Sequence, residues 1–141
     1  MRPRLHNENA PMPTPISNGR LWTARALSAL AILFMLFDGI IHLMKPEPVV
    51  EAFNRLGFPL STSTGIGITE LVCTVLYMLP RTAVGGAVLL TGIYGGAVAA
   101  HFRIADPFFD TYIFPTLMGA LTWGGLLLRD AALRAVMLFR T

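Results

Sequence analysis

The chain has 141 residues, room for one domain and little else. Hydrophobic residues make up 54% of it and charged residues 13%, against about one-quarter charged in soluble domains, which excludes an ordinary water-facing surface. A net charge of +3 does not signal nucleic acid, because the charges fall between apolar runs and at the ends, with no basic stripe. Cys73 is the single cysteine, so an intrachain disulfide, a CxxC redox pair and a cysteine zinc site are all excluded.

Residues 1–20 hold Pro3, Pro11, Pro13 and Pro15 among polar residues and arginines, with little to bury. Such a segment does not offset its ordering entropy and is expected to be a disordered tail. It is also too long, before too long an apolar run, to be a cleaved signal peptide. Four apolar stretches follow, with helices expected at about 22–44, 60–79, 82–102 and 111–128 of a domain covering 21–141. Nineteen residues separate Arg25 from Lys45, with Asp38 their one charge; Leu60 to Leu79 is 20 residues with Glu70 alone. Thr82 to Phe102 and Thr111 to Leu128 carry no formal charge over 21 and 18 residues. A hydrocarbon core needs about 20 residues of helix, and the last two stretches lack the polar stripe of a soluble helix. The expected fold is therefore all-α, a four-helix transmembrane bundle.

The connections agree with this. Pro80-Arg81 forms a tight turn, and Arg103 to Asp110 a short loop before Pro115, which sits near the start of the fourth helix where a missing donor costs least. In the longer first loop, Pro48 to Leu56 places Val49, Val50, Phe53 and Leu56 on one face, ended by Gly57 and Pro59, as expected of a short interfacial helix. A second short amphipathic helix is expected after Arg129. Eight of the eleven Lys and Arg residues fall on the side of the termini and the second turn, and three, Lys45, Arg55 and Arg103, on the other. The positive-inside rule then puts both termini in the cytoplasm and the interfacial helix in an exoplasmic loop.

Ionisable groups in a spanning helix are costly and usually face the interior. Asp38 and His42 share a face at i,i+4, with Asp38 about 9 Å from the outer helix end; Glu70 lies up to about 15 Å from it. Tyr94 enters at a similar depth, and His101 lies at the outer end of the third helix. Together Asp38, His42, Glu70, Tyr94 and His101 are candidates for one pocket, taking a ligand or a proton. The competing reading is structural pairing, Asp38 with His42 and Glu70 with Tyr94 or His101. Two histidines with no clear second shell do not carry a metal or haem site. Arg103 and Asp106, at i,i+3, are expected to form a rim salt bridge or a lipid-headgroup contact. Gly85, Gly92 and Gly96 are expected as packing positions, the last two as a GxxxG pair serving the bundle or a homodimer. No GxSxG, P-loop or dinucleotide fingerprint occurs, so the chain is not expected to be an enzyme on its own.

Several segments carry a resemblance: LFDGIIHLMKPEPVVEAFNRLGFP (36–59), GIGITELVCTVLYMLPRTAVGGAVLLTG (65–92), GGAVAAHFRIADPFF (95–109) and WGGLLLRD (123–130). In this order they resemble the DoxX-like family of small bacterial integral membrane proteins. The resemblance implies a multi-pass protein of the bacterial cytoplasmic (inner) membrane, with the lipid bilayer and membrane redox complexes as partners. It also implies a quinone-interacting accessory role, with quinone the implied cofactor and none bound covalently. Where relatives carry lysine after a "DG" in the first helix, this sequence has His42. The alternatives are a non-enzymatic scaffold or assembly factor, and a small proton-coupled transporter or apolar-ligand binder.

Overall fold

The computed structural model describes residues 17–107 and 112–137. Of the tail expected over 1–20, residues 1–16 lie outside the described residues, while Ser17 to Arg20 form the cap and first turn of a helix. That helix starts before Leu21 because the Ser17 hydroxyl accepts from the Arg20 amide, relieving an otherwise unpaired donor. Among the described residues the chain is all-helical, with six helices and no strand. They are α1 (Asn18–Met44), α2 (Glu47–Leu56), α3 (Ser61–Met78), α4 (Ala83–Arg103), α5 (Ile113–Arg129) and α6 (Ala131–Met137).

The punctuation between helices is chemical. Lys45 adopts φ 51° and Pro46 follows, ending α1 and starting α2 after a sharp turn. Gly57, at φ 69°, ends α2; the amides of Gly57 and Phe58 return to the carbonyls of Asn54 and Phe53, the double bond of a left-handed cap. Leu79 is extended before Pro80, as the proline ring demands. Asp130 stops α5 and caps α6 through the Leu133 amide, while Arg134 covers the Leu127 and Leu128 carbonyls that α5 leaves open.

α1 packs against α3 and α5, and α4 packs against the same two. Buried side chains between them include Met35, Tyr77, Ala87, Leu90, Met118 and Leu126. One hydroxyl network joins all four helices. Tyr77 of α3 donates to the Thr122 carbonyl of α5 at 2.8 Å, Ser28 of α1 meets the Tyr77 hydroxyl at 3.0 Å, and Tyr94 of α4 meets the Thr122 hydroxyl at 3.1 Å. The outer faces are apolar: Leu30, Leu33, Phe37 and Ile40 on α1, Val72 and Val75 on α3, Val88 and Leu89 on α4, and Leu117 on α5 are all exposed. α1 and α4 are long and apolar enough to cross a membrane.

Glycines set the helix crossings, though not those expected. A Cβ on Gly85, Gly92 or Gly96 would meet nothing within 4 Å, so these positions make no close contact with another helix of the same chain. Instead, a Cβ on Gly86 would lie 2.3 Å from the Tyr77 backbone nitrogen, and one on Gly125 2.4 Å from the Ser28 hydroxyl. Gly39 and Gly67 face each other across α1 and α3, where a Cβ on Gly67 would lie 2.7 Å from the Gly39 carbonyl oxygen. Gly85 and Gly86 are neighbours about 100° apart around the helix, and only the packing selects between them.

Gly86→Ala should therefore destabilise the protein by about 1–3 kcal/mol, because backbone rather than a flexible side chain must move. Gly92→Ala, into open space, should cost nothing. Thermal denaturation of both variants in detergent checks the contrast.

Candidate functional site

The antiparallel Gly39–Gly67 crossing brings polar side chains on either side of it within reach of each other. His42 and Glu70 follow these glycines by three residues, and their side chains meet: His42 Nδ1 lies 3.4 Å from Glu70 Oε2. Asp38 Oδ2 is 4.0 Å from the same nitrogen. Nδ1 lies 2.9 Å from the Asp38 carbonyl oxygen, which only accepts, so this nitrogen carries the ring proton in neutral His42. Ser63 of α3 donates to the His42 carbonyl at 2.7 Å and pins the two helices from the other side.

These groups form the polar patch of a cavity of about 890 Å³. Asp38, His42, Glu70, Tyr94 and His101 all line it. Much of the remaining wall is apolar: Phe34 and Met35 from α1, Ile66 from α3, Ile93 from α4, Phe114 and Met118 from α5. Phe34 and Phe114 meet edge-on at 4.5 Å between ring centres. Gly96, Ala97 and Ala100 also line the cavity, so part of the small-residue face of α4 leaves room for the cavity instead of packing.

The partners within this set differ from either pairing expected for Glu70. Glu70 meets His42; Tyr94 turns to Thr122, and His101 to Asp106 at 2.6 Å. Glu70 is 4% exposed, and its Oε2 accepts no hydrogen bond. Asp38 and His42 keep part of their surface open.

α2 supplies the roof. Ala52, Phe53, Arg55 and Leu56 line the cavity, and the Phe53 ring stands edge-on to the His42 imidazole at 5.8 Å. Its tie to the end of α4 is polar. Asp106 accepts from Arg55 at 3.2 Å through one oxygen and meets His101 through the other, while its own carbonyl accepts from the Tyr112 hydroxyl at 3.1 Å. Arg103 does not pair with Asp106 as expected; its guanidinium donates to the Leu56 carbonyl at the end of α2 and lies over Phe58. The i,i+3 spacing fails because the turn after α4, with Ala105 at φ 52°, carries Asp106 back towards His101. No sequence spacing links Arg55 to Asp106, 51 residues away.

The chemistry on offer is a hydrogen-bond donor, an unsatisfied buried acceptor and a second carboxylate in a cavity whose other walls mix apolar side chains with Thr62, Thr69, Tyr94, Arg55 and His101. Fold and site define a class: a protein all-helical among the described residues, with apolar outer faces and an internal cavity bearing a cluster of ionisable side chains. The DoxX-like family model matches residues 26–125, most of the chain, and the protein belongs to the DoxX-like family. Membership points to a membrane protein, in accord with α1 and α4. No curated protein and no solved structure matches the chain.

Asp106→Ala removes the acceptor shared by Arg55 and His101. Amide exchange within α2 should accelerate by about tenfold or more, while α1 and α3 keep their protection. Unchanged exchange in α2 would show that this latch does not hold the roof.

Proposed function

We propose that the protein is a multi-pass protein of the bacterial cytoplasmic membrane, a four-helix transmembrane bundle whose cavity binds a quinone-type ligand. In this reading it serves as an accessory subunit of a membrane redox complex. Exposed Leu, Ile, Val and Phe along the four long helices support the embedding, since such faces suit lipid and not water. At about 1.5 Å per residue, the 17 residues of α5 rise about 26 Å, enough with slight bilayer thinning. Both termini are cytoplasmic, because eight of the eleven Lys and Arg residues then fall inside. Asp38, His42 and Glu70 then open towards the exoplasmic side, with α2 along the interface.

The observation that carries the ligand reading is the Asp38–His42–Glu70 cluster in a cavity walled largely by apolar side chains. Its volume, about 890 Å³, falls in the range of about 300–1,000 Å³ typical of small-molecule sites. A quinone head is flat and apolar with two carbonyl oxygens, and its reduced form adds two hydroxyl donors. The free Oε2 of Glu70 accepts from such a hydroxyl, and the His42 imidazole donates to such a carbonyl, while Phe53 and Phe114 flank the ring. The prenyl tail leaves towards lipid along the apolar wall.

In lipid nanodiscs, chelator-washed protein titrated with a short-tailed quinone and its quinol should show saturable quenching of tryptophan fluorescence. Glu70→Gln should weaken quinol binding by about tenfold, the value of one hydrogen bond to a buried charged acceptor. Gly92→Leu, outside the cavity lining, should bind like the parent. Absence of saturable binding by the parent protein overturns the reading and favours a scaffold that binds no ligand.

A further inference from the structure

The Asp38–His42–Glu70 patch has a feature that hydrogen bonding among its members does not explain. One donor atom from each of the three side chains lies within 4.8 Å of the other two. Glu70 Oε2 is enclosed, aimed into this group and without a hydrogen-bond donor. The nearby His42 Nδ1 directs its proton at the Asp38 backbone carbonyl and not at the carboxylate. Two carboxyl groups and an imidazole thus stand together in a chamber whose walls include many apolar side chains.

We infer that Asp38, His42 and Glu70 bind one divalent first-row metal ion, with at least one coordination position facing the cavity. This goes beyond the quinone reading and does not rest on it. A divalent cation cancels the two carboxylate charges and supplies the partner that Oε2 lacks. Ligand bonds of about 2.0–2.1 Å in a tetrahedral shell put neighbouring donors about 3.4 Å apart. The His42–Glu70 edge is 3.4 Å and the Asp38–His42 edge 4.0 Å; closing the set takes a turn of the partly exposed Asp38 carboxylate and of the His42 ring, whose Nδ1 swings from the Asp38 carbonyl towards Glu70 Oε2. Binding through Nδ1 moves the ring proton to Nε2, so the imidazole releases none. The Asp38 carbonyl is not orphaned by this, because it retains the helical bond from the His42 amide. The close backbones at Gly39 and Gly67 hold the α1 and α3 donors at fixed separation. Two carboxylates with one imidazole suit Zn²⁺, Mn²⁺ or Fe²⁺, whereas soft Cu⁺ prefers sulfur. This departs from the absence of a metal site expected from sequence, where Asp38 and Glu70 lie 32 residues apart.

The test uses the full chain, purified without a polyhistidine tag, washed with chelator, placed in nanodiscs of phosphatidylethanolamine and phosphatidylglycerol, and titrated with Co²⁺ alone. The expected result is one Co²⁺ per chain with visible d–d absorption, unchanged in His6→Gln. Glu70→Gln and His42→Gln should each lower the affinity by about tenfold or more. Melting temperatures identify any variant that fails to fold. X-ray absorption of the parent Co²⁺ protein gives a readout that needs no variant, one imidazole among oxygen donors. Absence of stoichiometric binding, an all-oxygen shell, or parental affinity in folded Glu70→Gln each overturns the inference. Quinone binding is measured on chelator-washed protein, so either result stands without the other.

Discussion

The contact between α1 and α3 at Gly39 and Gly67 is the constraint on which the rest of the site depends. Without a Cβ on either residue the two backbones come close enough for each glycine to sit against the other's carbonyl oxygen. Helices surrounded by lipid gain little from burying apolar surface against each other, so close backbone approach and interhelical hydrogen bonds hold them. Here both occur together, since Ser63 donates across the same crossing to the His42 carbonyl. His42 and Glu70 lie on opposite sides of this antiparallel crossing, close enough for their side chains to meet across it. A larger residue at either glycine would push apart the polar groups as well as the helices.

The two ends of the cavity are held by different forces. At one end Tyr94 belongs both to the wall and to the hydroxyl network that runs through Thr122 and Tyr77 to Ser28. That network is buried and draws one residue from each long helix, so loosening it means moving all four. At the other end α2 rests on Val49 and Phe53 and is tied by Arg55, Asp106 and Arg103 at the rim. Its two hinges, Lys45 and Gly57, are both in the left-handed region. The rim tie rests on one enclosed carboxylate, Asp106, shared by Arg55 and His101, whereas the hydroxyl bonds are spread over four helices and are expensive to leave unmade. The chamber thus has one end tied into all four long helices and a roof held through a single shared acceptor.

Much of this was legible before any coordinates. An apolar run of the right length is a local property, and prolines and glycines mark its ends through their own backbone restrictions. The α2 segment could be read because Val49, Val50, Phe53 and Leu56 share a face. Asp38, His42, Glu70, Tyr94 and His101 stood out as polar exceptions in apolar stretches, and all five line one cavity. The hydroxyls of Ser28, Tyr77 and Thr122 carry no such signal, since uncharged polar residues are common in apolar helices. The tie between Arg55 and Asp106 was equally hidden, because the sequence offered a nearer partner in Arg103.

The sequence by itself determined the all-helical composition, the order of the helices and which residues were too polar to face lipid. Those are consequences of periodicity, length and solvation, each decided within a few turns of chain. Only the tertiary structure decided that Gly39, Gly67, Gly86 and Gly125, and not Gly85, Gly92 and Gly96, lie at the crossings. It alone decided that Glu70 meets His42 and that Asp106 serves α2. The reason is rotational: a few tens of degrees about a helix axis exchanges one neighbour for another. That angle is set by how four surfaces interlock, which no single stretch of sequence contains.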